Sequence, residues 1–249
     1  MRKIYSTVII GLSLLAFTGV SFAAYDYVQL LQSDSVKTRT DALKRIERGI
    51  LSQPEVFKQV KSNMDQELNA GIDRDADKLR LDEVAWMCKA LASSGDEQYL
   101  STIEMTINST GNKRLKGHCQ KSIDNFSRYV EKRSMKKSPK ISGFSQEMSS
   151  YINMLHSSDY MIKRDGIKFI MSSPESNEQV FDMVRDELLK EVPNITGRSG
   201  YNAVDAMSYA CLCLSGSGIS KYKSDLETVI NQSSNKKLIK YARQAYNEL

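Results

Sequence analysis

Apolar positions recur along this chain at helical spacing. Val56, Phe57, Val60, Met64 and Leu68 fall on one face of a helix, and Leu81, Val84, Ala85, Cys88, Leu91 and Ala92 fall on the face of another. No run keeps the period-two alternation of a half-buried strand, so the pattern predicts an all-α chain. Short polar turns separate the helical runs: Ser52-Gln53-Pro54, Ser93-Ser94-Gly95-Asp96 and Ser109-Thr110-Gly111-Asn112, then Ser172-Ser173-Pro174 and Ser215-Gly216-Ser217-Gly218. Pro54 and Pro174 suit a first helical turn, where a missing N–H costs nothing. Asn112 and Asn235 read as N-caps, whose side-chain oxygen accepts from an otherwise unpaired backbone N–H.

The same pattern occurs twice. At an offset of 124, Tyr27, Leu31, Asp41, Lys44, Ile46, Val56, Phe57 and Val60 recur as Tyr151, Leu155, Asp165, Lys168, Ile170, Val180, Phe181 and Val184. At an offset of 123, Asp82, Cys88, Leu91, Gly95, Tyr99, Glu104, Ile107, Asn108, Asn112, Lys113 and Leu115 recur as Asp205, Cys211, Leu214, Gly218, Tyr222, Glu227, Ile230, Asn231, Asn235, Lys236 and Leu238. Identities in one order over such a span point to an internal duplication. Each copy is expected to hold about six helices in three antiparallel hairpins. The expected division is a leader over 1–23, a first helical unit over 24–130, a basic linker over 131–143 and a second helical unit over 144–249.

The helices starting near Thr38 and Leu115 carry an apolar, a basic, a small and a closing aliphatic residue at fixed steps: Thr38-Arg39, Ala42-Leu43, Ile46, and Leu115-Lys116, Cys119, Ile123. The second copy gives Ile162-Lys163, Gly166-Ile167, Ile170, and Leu238, Ala242, Tyr246, with Ile239 departing at the basic position. This resembles the second helix of a HEAT-type repeat. The resemblance implies a HEAT-like α-solenoid of stacked helix hairpins, in which the small residue lets a neighbouring helix approach closely. It also implies a surface that holds a partner, while fold alone licenses no activity.

Met1-Arg2-Lys3 leads into an apolar stretch from Val8 to Val20, and Ser21-Phe22-Ala23 supplies small residues for a signal peptidase. Cleavage after Ala23 and a periplasmic or secreted mature chain are expected, with an uncleaved anchor as the rival. No later run reaches membrane-spanning length. The formal charge of +5 is local: Arg128, Lys132, Arg133, Lys136, Lys137 and Lys140 stand against Glu131 alone. Such a segment reads as a solvated linker, and nucleic acid is not an expected partner because the charge is not spread over a face.

Candidate chemistry is sparse. The two histidines, His118 and His156, have Tyr241 and Gln32 at the matching positions of the other copy, and no nucleophile-elbow, zinc-protease, phosphate-loop or CxxC motif occurs. Neither a metal, a cofactor nor a catalytic residue is expected. Cys88 and Cys119 lie on helices that adjacent hairpins would bring together, so an exported chain could bridge them; buried free thiols are the competing account. Asp82 and Asp205 recur at the start of a helix that also carries an aromatic one turn on, Trp86 and Tyr209, with Lys89 beside the first. These five are the candidate partner-binding residues. Against that stands packing, since an acid in a first turn complements the helix dipole and an aromatic at this spacing is commonly core. The preferred expectation is a non-enzymatic protein that binds a protein or peptide; the alternative is an enzyme or enzyme subunit using a cleft between the copies. Sequons at Asn108, Asn125, Asn194 and Asn231 leave a eukaryotic secreted protein open.

Overall fold

The structure is a computed structural model that describes residues 20–49, 53–72 and 77–249. The expected leader lies outside the described residues except for residues 20–23, whose backbone opens the first helix. Among the described residues there are only helices and connections, and no helix is long and apolar enough to cross a membrane. Two compact units emerge, one of Met1–Leu91 with Ser101–Gln120, the other of Ala92–Leu100 with Lys121–Leu249.

The first unit draws on α1 (Val20–Leu31), α2 (Val36–Arg48), α3 (Pro54–Ala70), α4 (Lys78–Ser93), α5 (Leu100–Ser109) and α6 (Lys113–Asp124). Ser35 caps α2 by accepting from Thr38 N, and Pro54 takes the first position of α3. Asn112 Oδ1 accepts from Arg114 N at 3.0 Å and Leu115 N at 3.1 Å, which starts α6. The apolar stripes meet in a core that includes Leu43, Ile46, Val56, Val60, Met64 and Leu91, all fully buried. A disulfide joins Cys88 on α4 to Cys119 on α6, with Cα atoms 5.2 Å apart.

The second unit adds α7 (Phe126–Lys137), α8 (Gln146–Leu155), α9 (Tyr160–Ser172), α10 (Glu178–Glu191), α11 (Tyr201–Gly216), α12 (Lys223–Gln232) and α13 (Lys236–Glu248). Here α9, α11 and α13 lie side by side, α8 covers α9 and α12 covers α13. Gly166 allows the close approach of α8 to α9, because an added Cβ would fall 2.8 Å from Leu155 N and from Met154 Cβ. Asn235 caps α13 through Lys237 N at 3.0 Å and Leu238 N at 3.1 Å.

Two local expectations need correction. The basic stretch expected as a linker over 131–143 is helical as far as Lys137. Within it Lys132 pairs with Asp165, and one turn earlier Arg128 Nε lies 2.7 Å from Asp159 Oδ2, while Lys137 and Lys140 are exposed. Pro174 lies in a turn before α10, whose start is set instead by Asn177 accepting from Val180 N at 3.2 Å. The hydroxyl of Tyr151 donates to the Glu147 carboxylate at the surface while its ring stacks on Phe169 at 4.9 Å.

Candidate functional site

In the first unit, α4 presents Asp82, Trp86 and Lys89 along one edge. Residues three and four apart on a helix share a face, so Lys89 folds back over Trp86, its Nζ 3.9 Å from the ring centroid. Lys44 of α2 approaches the same ring at 5.9 Å. Asp82 Oδ1 lies 3.6 Å from Arg114 Nη2 of α6, with both groups well exposed. Trp86 is half-buried: neither deep in the core nor bare. A cleft of about 230 Å³ opens beside Asp82, lined by Lys78, Leu81, Asn112, Arg114, Leu115 and His118.

In the second unit, α11 presents Asp205 and Tyr209. Lys168 of α9 lies 5.1 Å from the half-buried Tyr209 ring. Asp205 is more enclosed than Asp82, held between Arg164 Nη1 and Lys237 Nζ, each at 3.4 Å. Lys237 also sits over Tyr201, 4.3 Å from its centroid, and 5.9 Å from that of Tyr241. Tyr201 is the more open ring, 68% exposed. Each stripe thus sets an acid, an aromatic face and ammonium or guanidinium groups next to one another. Cations over exposed rings contribute about 0.5–1 kcal/mol each, so these contacts arrange the surface more than they stabilise the fold.

Sequence reasoning missed two buried ion clusters. Glu83, next to Asp82 but on the inner face of α4, is 1% exposed and receives Arg39 Nε at 2.5 Å and Nη2 at 2.9 Å. That hydrogen bond raises the Arg39 pKa further above its ordinary value. In the second unit Lys163, 2% exposed, pairs with Glu187 and Glu191, and His156 Nδ1 lies 3.3 Å from Glu187. Burial alone would push the Glu187 carboxyl up, but Lys163 and its other donors outweigh that and hold it below the usual range. The signal was available: Arg39 and Lys163 are basic residues on otherwise apolar helix faces, and a buried cation demands an acid.

The Arg39–Glu83 pair borders a polar cleft of about 400 Å³ in the first unit, also lined by Leu31, Gln32, Asn63, Glu67 and Met87. Cys211 and Cys213 are buried free thiols, each pushed up to about 12 by burial, and so are poor nucleophiles. No group of histidines, cysteines and carboxylates that could hold a metal ion occurs among the described residues. No protein-family model matches the chain, and no curated protein matches it as a relative.

Proposed function

We propose that this chain is an exported, non-enzymatic binding or scaffold protein: a duplicated, HEAT-like helical solenoid that takes a protein or peptide partner on the aromatic–cation–acid stripes of its two copies. The observation that carries this reading is the recurrence of one arrangement of four residues. Lys44 over Trp86, with Asp82 beside Arg114, is repeated 123 to 124 positions on by Lys168 over Tyr209, with Asp205 beside Lys237. Packing needs would conserve the buried face of a helix; they give no reason to repeat a half-exposed one.

Two further repetitions support the duplication. Asn112 and Asn235 cap their helices through the same pair of backbone N–H groups, and Gly95 and Gly218 both take positive φ, 62° and 68°. The disulfide supports export, because such bonds persist in oxidising compartments.

The test uses the mature, tagged chain, crosslinked in the intact envelope and purified with whatever it holds. Lys44→Glu with Lys168→Glu reverses charge on the stripes without touching either core. The expected result is loss of a partner that the parent chain retains, with an unchanged melting curve. A partner held equally by parent and variant would place binding elsewhere.

A further inference from the structure

The polar cleft of the first unit lies outside the stripes and has its own chemistry. Three side-chain amides run along it in a hydrogen-bonded series. Gln32 Nε2 donates to Gln59 Oε1 at 3.1 Å, Gln59 Nε2 to Asn63 Oδ1 at 2.8 Å, and Asn63 Nδ2 to the Leu31 carbonyl at 2.8 Å. These bonds orient the amides while spending one of the two N–H groups on each. The remaining N–H and carbonyl capacity belongs to groups that line the cleft.

We propose that this cleft binds an extended peptide through its main chain, with a basic side chain beside Asp34. A side-chain amide offers the same donor and acceptor as a peptide unit, so a row of them matches an extended backbone, whose N–H and C=O groups all need partners. The charge selects the side chain. Asp34, Glu67 and Glu83 line the cleft, with Glu83 paired to Arg39 and Glu67 to Arg80, so Asp34 leaves the cleft a net negative charge that favours a cation and opposes phosphate or carboxylate ligands. The lining contains no aromatic ring, which leaves the C–H faces of a sugar without a platform. The volume falls within the range of about 300–1,000 Å³ usual for ligand clefts.

The amides are peculiar to the first unit. At the positions 124 residues on, Gln32, Gln59, Asn63 and Glu67 are replaced by His156, Met183, Glu187 and Glu191, and there Lys163 closes on both glutamates. This comparison rests on the duplication proposed above; the amide series and its charge do not.

The experiment uses the full mature, disulfide-bonded chain and a labelled hexapeptide of alternating Ala and Lys. Its Glu-for-Lys counterpart, its backbone N-methylated form, spermidine and a neutral oligosaccharide serve as competitors. The parent protein is expected to bind the Lys peptide saturably and to ignore the Glu peptide. N-methylation is expected to weaken binding about tenfold or more, the loss of one or two good hydrogen bonds. Gln59→Leu with Asn63→Leu should cause a similar loss with an unchanged melting curve. Absence of saturable binding overturns the proposal. So does binding indifferent to N-methylation or matched by spermidine, which marks a simple cation site, and so does preference for the oligosaccharide. The methylation arm needs no variant, so it decides even where the double substitution fails to fold. A chain that retains its envelope partner yet ignores the peptide fails this proposal alone; the converse fails only the binding stripes.

Discussion

Arg39 and Glu83, 44 residues apart in sequence, meet across α2 and α4 in a two-point hydrogen bond, with the carboxylate 1% exposed and the guanidinium 20% exposed. A third N–H of Arg39 reaches the Ser33 carbonyl at 2.7 Å, so one side chain ties the entrance of α2 to the middle of α4. Removing Arg39 leaves the nearly buried Glu83 carboxylate without its partner guanidinium. Arg39→Ala is therefore expected to destabilise the protein by about 3–5 kcal/mol. Arg39→Met combined with Glu83→Leu should cost much less than either truncation alone, because neither desolvated charge remains. Chemical denaturation of Arg39→Ala, Glu83→Ala and the double variant checks this, and a double variant as unstable as the sum of its parts would contradict it.

Two glycines inside helices should respond in opposite directions to the same substitution. At Gly166 a methyl group would stand 2.8 Å from Leu155 N and 2.9 Å from the Tyr151 carbonyl, both backbone atoms of α8. Neither can move without shifting the helix, so Gly166→Ala is expected to destabilise by about 1–3 kcal/mol. Gly117, exposed on α6, has nothing within 4 Å of the same position. There alanine brings only its higher helix propensity, and Gly117→Ala should stabilise by up to about 1 kcal/mol. Thermal melts of the two variants should bracket the parent.

What the sequence made legible is local. The apolar stripes, the caps at Asn112 and Asn235 and the first-turn proline of α3 depend on residues within a turn or two of each other, where spacing alone carries the geometry. Arg39 with Glu83, and Lys163 with Glu187, were not legible as pairs because each joins two helices whose relative rotation the spacing does not encode. Pro174 misled for a related reason: a proline can open a helix or sit in the turn before it, and Asn177 decided between them. The aromatics fell between both expectations. Helical period placed Trp86 and Tyr209 on an edge, but only the neighbouring lysines on α2, α4 and α9 determine that the rings are half-covered by cations rather than packed in the core.

The cysteines divide into two chemical classes. Cys88 and Cys119 close a loop across 31 residues, and opening it through Cys88→Ala with Cys119→Ala is expected to cost about 3–4 kcal/mol, largely by freeing the unfolded chain. Cys211 and Cys213, at about 12, hold almost no thiolate at neutral pH and are shielded as well. A thiol reagent should leave the native protein unmodified and label two sites once denaturant is added. Labelling of either at native conditions, or of four sites in the unreduced denatured chain, would refute the assignment.

Acid should unfold this protein through identifiable carboxylates. Glu187 and Asp159 are both held below the usual range against burial that would raise them, Glu187 by Lys163 and His156, Asp159 by Arg128 and the backbone N–H of Met161. A depressed carboxylate contributes stability that is fully present above its unfolded value, about 4.3 for Glu and 3.9 for Asp, and is lost as pH falls through the folded value. The melting temperature should therefore hold from neutral pH to about 5 and fall below it, in the window set by those two groups. Lys163→Met reverses the sign for one of them. With its principal cation gone, burial dominates at Glu187, its folded pKa rises above the unfolded one, and protonation then relieves a buried charge instead of breaking a pair. The variant should be least stable at neutral pH and gain on the parent as the pH drops through the carboxylate range. Melting curves at four or five pH values for both proteins measure this difference directly, and parallel pH profiles would show that Lys163 does not hold Glu187 ionised.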